Sequence, residues 1–450
     1  MKNSLLLLLI GCFVLSFSSC LDSDKDTTEY DLTNCQISSF SLANDSIEGI
    51  GDVKFVIDQI NGYIYNADSM DYGTVLDRKL VTTLSLASSF SYAQIMPEAT
   101  GDTIIYNNAD SVDYSKSVKI VVHSSDGVTM KTYHVSVNIH QVNPDSMVWQ
   151  KTSLLQDVAI AEQKAIKRDE QLFFYVKPVS GGGYKLYTAP ESAPNSWTEK
   201  AITGLPAEGV LLSQLTAYNG LSYVPSIGGA LYQSADGLSW SAVSGAPSIK
   251  AILGALPAGE VNPSALSAVV AGEGGLQFAS MDENKEWILG DAVSPGFPVS
   301  GFGVVNYESM YYQRLLVAGG EDPNGTLLGS AWTTLNGRDW AIQTDDLYPP
   351  FEARTGAVVA AYDGNIYLIG GLTASNQMIK DIYISKDKGI TWAASDSLVR
   401  MPDDFAARAF SSVIVDKDNY MLLFGGKVSK GASDLNDLWR GRINRLGFKD

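Results

Sequence analysis

Two patterns of apolar and polar positions divide this chain. In the first third, short apolar runs alternate with polar residues: Val53-Lys54-Phe55-Val56-Ile57, Val118-Lys119-Ile120-Val121-Val122 and Tyr133-His134-Val135-Ser136-Val137. A period of two is that of a half-buried strand. Asp126-Gly127, between the last two runs, is a hairpin-turn signal because such turns need positive φ. No helical period of useful length appears.

The later pattern is a repeat. An apolar strand runs into a double glycine six times, at Gly182-Gly183, Gly228-Gly229, Gly274-Gly275, Gly319-Gly320, Gly370-Gly371 and Gly425-Gly426. The steps are 46, 46, 45, 51 and 55 residues apart, the size of one four-stranded propeller blade. An aromatic marks the next strand each time, at Tyr187, Tyr232, Phe278, Trp332, Tyr383 and Trp439. A tryptophan marks the outer strand at Trp197, Trp240, Trp287, Trp340 and Trp392. The sixth is missing after Trp439, but Trp149 stands 48 residues before Trp197. The strand around Met147 to Lys151 is therefore expected to complete the sixth blade, which would leave no open edge. A tight turn beside packed neighbours explains the glycine pairs, and the aromatics are expected to fill the gaps between blades.

The predicted fold class is all-β: an N-terminal immunoglobulin-like β-sandwich, then a six-bladed Kelch-like β-propeller closed by its own N-terminal strand. About seven short strands in residues 35–143 suggest the sandwich, although it lacks the Cys-Trp-Cys core of antibody domains. Asn143-Pro144-Asp145 is the expected hinge, since proline stiffens the chain and restricts its neighbour. The propeller takes residues 144–450.

Glycine pair, aromatic and tryptophan in this order resemble the Kelch repeat over about 300 residues. The resemblance is most specific in blades four to six, where Arg354 in Glu352-Ala353-Arg354-Thr355-Gly356 and Arg408 in Ala407-Arg408-Ala409-Phe410 match the arginine that opens a Kelch repeat. Blades one to three lack it. A second pattern, Ser385-Lys386-Asp387-Lys388-Gly389-Ile390-Thr391-Trp392, resembles the Asp box of sialidases. Ser280 to Trp287 is a looser copy and Ser234 to Trp240 a shorter one. Such a box is a turn held by local hydrogen bonds, so its role is structural.

The N-terminus reads as an export leader. Lys2 precedes an apolar run from Leu5 to Phe17 that is too short to span a bilayer. Phe17-Ser18-Ser19-Cys20 resembles a lipoprotein cleavage box, with Phe17 where leucine is usual. It implies a leader over 1–19, lipid on Cys20, an acidic tether over 20–34 and an outer-membrane anchor. Leu21-Asp22-Ser23-Asp24-Lys25-Asp26 resembles the surface-export signal of Bacteroidetes lipoproteins, which implies surface exposure. The sandwich-plus-ring order is also similar to that of gut Bacteroidetes lipoproteins of unknown function. The alternatives are an ordinary secretory signal and a merely solvated tether.

The net charge of -18 makes nucleic acid a poor partner. Of three cysteines, Cys12 lies in the leader and Cys20 takes lipid, leaving Cys35 with no intrachain partner. The three histidines, His123, His134 and His140, all fall in the expected sandwich. No zinc spacing, nucleophile elbow, phosphate loop or dinucleotide fingerprint is present. No cofactor, metal or catalytic residue is therefore expected. A sialidase would need an arginine trio, yet only Arg354 and Arg408 hold equivalent positions. A carboxylate-dependent glycoside hydrolase or lyase stays open, because paired acids leave no local motif.

The expected function is non-catalytic binding of a glycan or a surface protein by the propeller. A scaffold role in an outer-membrane assembly is the alternative. The turns after the second and fourth strands of each blade share one face. On it the stretches Glu321 to Gly325, Leu372 to Lys380 and Lys427 to Asn436 read as long loops. Arg354, Arg408, Phe297, Tyr348, Phe351 and Phe405 are the expected ligand contacts on that face, since aromatic and arginine anchors dominate recognition. Bonding of the two arginines to backbone is the competing expectation.

Overall fold

The computed structural model describes residues 32–87, 91–156, 158–344 and 351–445. Cys20, the leader, most of the tether and Tyr348 lie outside them. The chain is all-β and divides into two compact units between Pro144 and Asp145.

The N-terminal unit has nine strands among its described residues, where about seven were expected. A three-stranded sheet pairs Ile37–Ala43, Leu80–Leu86 and Ser111–Val112. A six-stranded sheet includes Phe55–Asp58, Tyr63–Asn66, Met130–Ser136, Val118–His123 and Tyr92–Pro97. Tyr63–Asn66 and Met130–Ser136 run parallel. One apolar core, with Ile37, Ile64, Ile95, Ile120 and Tyr133 fully buried, serves both sheets. Cys35 is buried and free.

The C-terminal unit is a β-propeller. Its six antiparallel sheets follow one another in sequence. The innermost strands are Ile160–Arg168, Thr216–Tyr218, Ile249–Leu256, Gly303–Ser309, Val358–Tyr362 and Ser412–Val415. The sixth sheet takes its outer strand from the start of the unit: Met147–Ser153 pairs antiparallel with Asp437–Ile443, Trp149 opposite Gly441. Seven apolar clusters each join two neighbouring sheets, two of them the third and the fourth. One of them sets Phe174 and Leu172 of the first sheet against Phe424 and Leu422 of the sixth. The repeated aromatics lie in these clusters: Trp332 beside Phe297, Trp392 beside Phe351, Trp439 beside Phe405. Each such buried side chain contributes roughly 1.5–3 kcal/mol.

The glycine pairs are not equivalent. In sheets four to six all six glycines have positive φ and crowded surroundings. A β-carbon on Gly370 would stand 2.6 Å from the Arg408 carbonyl, and one on Gly320 2.6 Å from the Ser300 carbonyl. At Gly182, Gly183, Gly274 and Gly275 nothing lies within 4 Å. The expected close approach is therefore corrected for the first and third pairs, which sit in open turns. The stretch Leu372 to Lys380 is also corrected. Asn365–Thr373 and Met378–Ser385 pair through Leu372 and Met378, so this is an extended hairpin with a short tip.

The Asp boxes are backbone turns. Ser385 Oγ accepts from Gly389 N at 2.7 Å, Asp387 Oδ1 from Thr391 N at 2.9 Å, and Trp392 Nε1 donates to the Gly389 carbonyl at 3.1 Å. Ser234, Asp236 and Trp240 repeat the arrangement. Sequence inspection missed a further copy, in which Thr334 and Asn336 replace serine and aspartate. Gly337 N donates to Thr334 Oγ1 at 2.9 Å and Asp339 N to Asn336 Oδ1 at 2.9 Å.

Candidate functional site: the mouth of the central cavity

The two repeat arginines open the fifth and sixth repeats, and both are buried. Arg408 donates to Asp437 through Nη1 at 2.6 Å and Nη2 at 3.1 Å, to the Gly425 carbonyl at 3.0 Å and to the Ala406 carbonyl at 2.9 Å. Arg354 repeats this with Asp381 at 2.8 Å, the Gly370 carbonyl at 3.1 Å and the Glu352 carbonyl at 2.8 Å. Each guanidinium stacks over a ring, Arg408 on Phe405 and Arg354 on Tyr383. The acids Asp381 and Asp437 were not singled out from sequence, although each follows its glycine pair at nearly the same distance. Five donors in a planar fork suit this crossing of backbone and carboxylate.

This burial corrects the expected ligand contacts. Arg354, Phe297, Phe351 and Phe405 are at most 2% exposed and Arg408 is 3% exposed. All five pack or bond between sheets, so they hold the scaffold and offer no surface. Tyr348 lies outside the described residues.

A cavity of roughly 490 Å³ lies on the axis that the six innermost strands surround, and all six sheets line it. Its size falls in the range of small-ligand pockets. Gly301, Gly356 and Phe410 border it through a chain of backbone bonds: Gly356 N donates to the Gly301 carbonyl at 2.6 Å and Phe410 N to the Gly356 carbonyl at 2.7 Å. The second glycines of the later sheets border the same end. Gly426 abuts Ser411, and Gly320 abuts Phe302. The mouth therefore opens beside the turns that follow the glycine pairs.

Phe410 is 37% exposed at this mouth. Its backbone is left-handed, φ 61, and among the described residues no other aromatic adopts that region. A bulky residue held there persists only where its surroundings over-determine it. Here the Phe410 carbonyl accepts from Gln163 Nε2 at 3.0 Å, and the ring covers Gly356. Ser213, which also lines the cavity, is exposed, and Gln163, Ser411 and Ser412 add polar groups.

Charge is sparse in the cavity. Among the described residues no aspartate or glutamate lines it, and its only ionisable side chains are Lys164 and Lys167, both on Ile160–Arg168. Lys167 is ion-paired with Glu191 at 2.6 Å. Burial works against ionising Glu191, but Lys167 and the backbone N–H of Lys417 outweigh it and hold the carboxyl below its usual range. Lys164 has no hydrogen-bond or ion-pair partner among the described residues and is half-buried against the cavity. Burial alone pulls its ammonium down to about 8. Nothing in Gln163-Lys164-Ala165-Ile166-Lys167 distinguishes this lysine in sequence.

Among the described residues no cluster of three or more histidine, cysteine or acidic side chains could hold a metal. No described helix is long and apolar enough to cross a membrane.

A family profile described as "DUF6242 beta propeller domain" matches residues 143–450. One described as "Domain of unknown function (DUF6242) N-terminal domain" matches residues 23–137. Among solved structures, one titled "Structure of YjhT" is 14% identical with a TM-score of 0.47, covering 64% of this chain and 96% of that one. No curated protein matches.

Proposed function

The chain belongs to the DUF6242 family, carrying both its N-terminal and its propeller domain, and from this premise we propose that it is a non-catalytic surface lipoprotein whose propeller binds a glycan at the mouth of the central cavity. The six sheets are read as six Kelch-like blades, closed where Met147–Ser153 joins the last strand. The buried, acid-paired arginines of the last two and the crowded glycines of the last three support that reading. The N-terminal sheets are read as an immunoglobulin-like spacer. Lipid on Cys20 would tether the whole to the outer membrane, facing outward.

The single observation that carries the binding reading is the cavity, open beside Phe410 and edged by neutral polar groups. An exposed ring beside hydroxyl and amide groups suits a sugar, which offers an apolar face and a rim of hydroxyls. No nucleophile–base pair or facing pair of acids lines the cavity, so it offers no obvious machinery for hydrolysis. A glycan array probed with the purified full chain tests this. Phe410→Gly removes the ring and suits the left-handed backbone. Loss of the array signal in that variant, with unchanged melting, is expected; an undiminished signal would move the site elsewhere.

A different observation favours the scaffold reading. Met310 and Tyr311 are 85% and 64% exposed at one hairpin tip, and Val261 is 57% exposed on the neighbouring turn. Asn262 Oδ1 ties the two turns together by accepting from Gln313 N at 3.0 Å. A protein contact at this tip would be lost on Met310→Asn, Tyr311→Ser, as read by cross-linking on whole cells.

A further inference from the structure

From the position of Lys164 we infer that the ligand of the cavity mouth carries a carboxylate, and that the Lys164 ammonium is its counter-ion. This rests on the mouth being the binding site.

Even a half-buried ammonium without a partner is costly, and proteins usually pair or hydrogen-bond such groups. In this protein partners are abundant: acidic residues outnumber lysine and arginine by 50 to 32. Yet among the described residues none enters the cavity. Three residues along the same strand, Lys167 has the buried Glu191 at 2.6 Å. The fold thus neutralises one of the two cavity lysines and leaves the other open.

The neighbours of Lys164 sharpen the ligand class. Gln163 and Ala165 turn to the sixth sheet, where Gln163 Oε1 and Ala165 N both meet Ser412 Oγ at 3.0 Å. By strand alternation Lys164 turns the other way, to the second sheet. The 3-10 turn Leu212–Gln214 that leads into that sheet presents Ser213 and Gln214 to the cavity, and Gln214 Oε1 already accepts from Ile252 N at 2.9 Å. Among the described residues the third, fourth and fifth sheets contribute no titratable group to the cavity. An entering anion would meet one positive charge and no competing negative one. A single ammonium matches a single carboxylate; it lacks the fork that a doubly charged phosphate would favour. With the ring of Phe410 and neutral polar groups at the same mouth, the chemistry fits a sugar acid of one or two rings.

The probes are glucuronate and glucose, which share a ring and differ in the carboxylate, together with acetate. Trace acetylation of the purified full chain, read for the Lys164 peptide by mass spectrometry across the alkaline range, reports how free its amine is. Glucuronate is expected to protect Lys164 about tenfold, with acetate protecting less and glucose not at all. Protection should fade as pH rises past about 8, where the free amine loses its proton. Calorimetric binding of glucuronate should weaken by at least about tenfold in Lys164→Met. Equal protection by glucose, glucuronate affinity unchanged in Lys164→Met, or no protection by either carboxylate overturns the inference. An array glycan that needs Phe410 but not Lys164 would leave the binding role standing and remove the carboxylate. Loss of neither variant's binding would remove both.

Discussion

The indole of Trp149 occupies the space where a β-carbon on its strand partner Gly441 would stand. The two residues come from opposite ends of the propeller sequence. Gly441 is therefore glycine for want of room, not for its backbone angle, and the contact joins the first strand of the unit to the last. Gly441→Ala is expected to displace the ring and lower stability by about 1–3 kcal/mol. Gly183→Ala, where nothing lies within 4 Å, should stay within about 0.5 kcal/mol. Chemical denaturation of the two variants side by side checks the contrast.

Arg408 and Asp437 form a two-armed pair, with the arginine 3% and the aspartate 8% exposed. Arg408→Ala would strand the Asp437 charge and the Gly425 carbonyl, at a cost of about 3–5 kcal/mol. Arg408→Lys should recover little, because an ammonium cannot reach carboxylate, glycine carbonyl and Ala406 carbonyl together. Neither change is expected to act on ligand affinity in whatever fraction stays folded. Melting and binding measured on the same samples separate these outcomes.

Much of this architecture was legible in the sequence. The glycine pairs, the tryptophan series including Trp149, and the two repeat arginines have local signatures that survive in one dimension. Bonding of those arginines to backbone was one of two expectations, and it is what they do; their carboxylate partners were not legible, because Asp381 and Asp437 arrive from another strand. Thr334-Leu335-Asn336-Gly337 escaped notice because hydroxyl and amide stand in for serine and aspartate with the same hydrogen bonds. The cavity was least legible. Six innermost strands spread from Ile160 to Val415 build it, and Lys164 and Phe410 come to line one cavity only after all six are placed.

Asp434 joins the sixth sheet to the first: its N–H donates to the Ile160 carbonyl at 2.8 Å, and its carboxylate lies 3.3 Å from Lys427 Nζ. Burial raises its pKa to about 6 despite Lys427. The folded state therefore holds this proton more tightly than the unfolded chain, whose aspartate titrates near ~3.9. The contribution is most favourable below pH ~4 and is lost as pH rises through about 6. Asp434→Asn cannot titrate. The stability of the natural chain minus that of this variant should fall by roughly 1–3 kcal/mol between those limits. A flat difference would show that Asp434 is ionised throughout.

Lys164 carries the opposite sign. Its folded-state pKa of about 8 lies below the ~10.4 of an unfolded lysine. At neutral pH the folded protein holds an ammonium that its surroundings disfavour. Lys164→Met should therefore raise stability at pH 7, by about 1–2 kcal/mol after allowing for water in the cavity. That gain should shrink as pH rises from about 8 towards 10, where the amine is neutral. Such a cost is what the proposed counter-ion role of Lys164 entails. Urea unfolding of both proteins across this pH range gives the difference.

The most direct test is a calorimetric titration of the strongest glycan-array ligand against the full chain, Phe410→Gly and Lys164→Met. The two residues come from the last and first sheets and share only the cavity mouth. If that mouth is the binding site for an acidic sugar, each substitution should lower affinity by about tenfold or more, with melting temperatures not reduced. Full affinity in both variants would contradict the assignment of the cavity as the functional site.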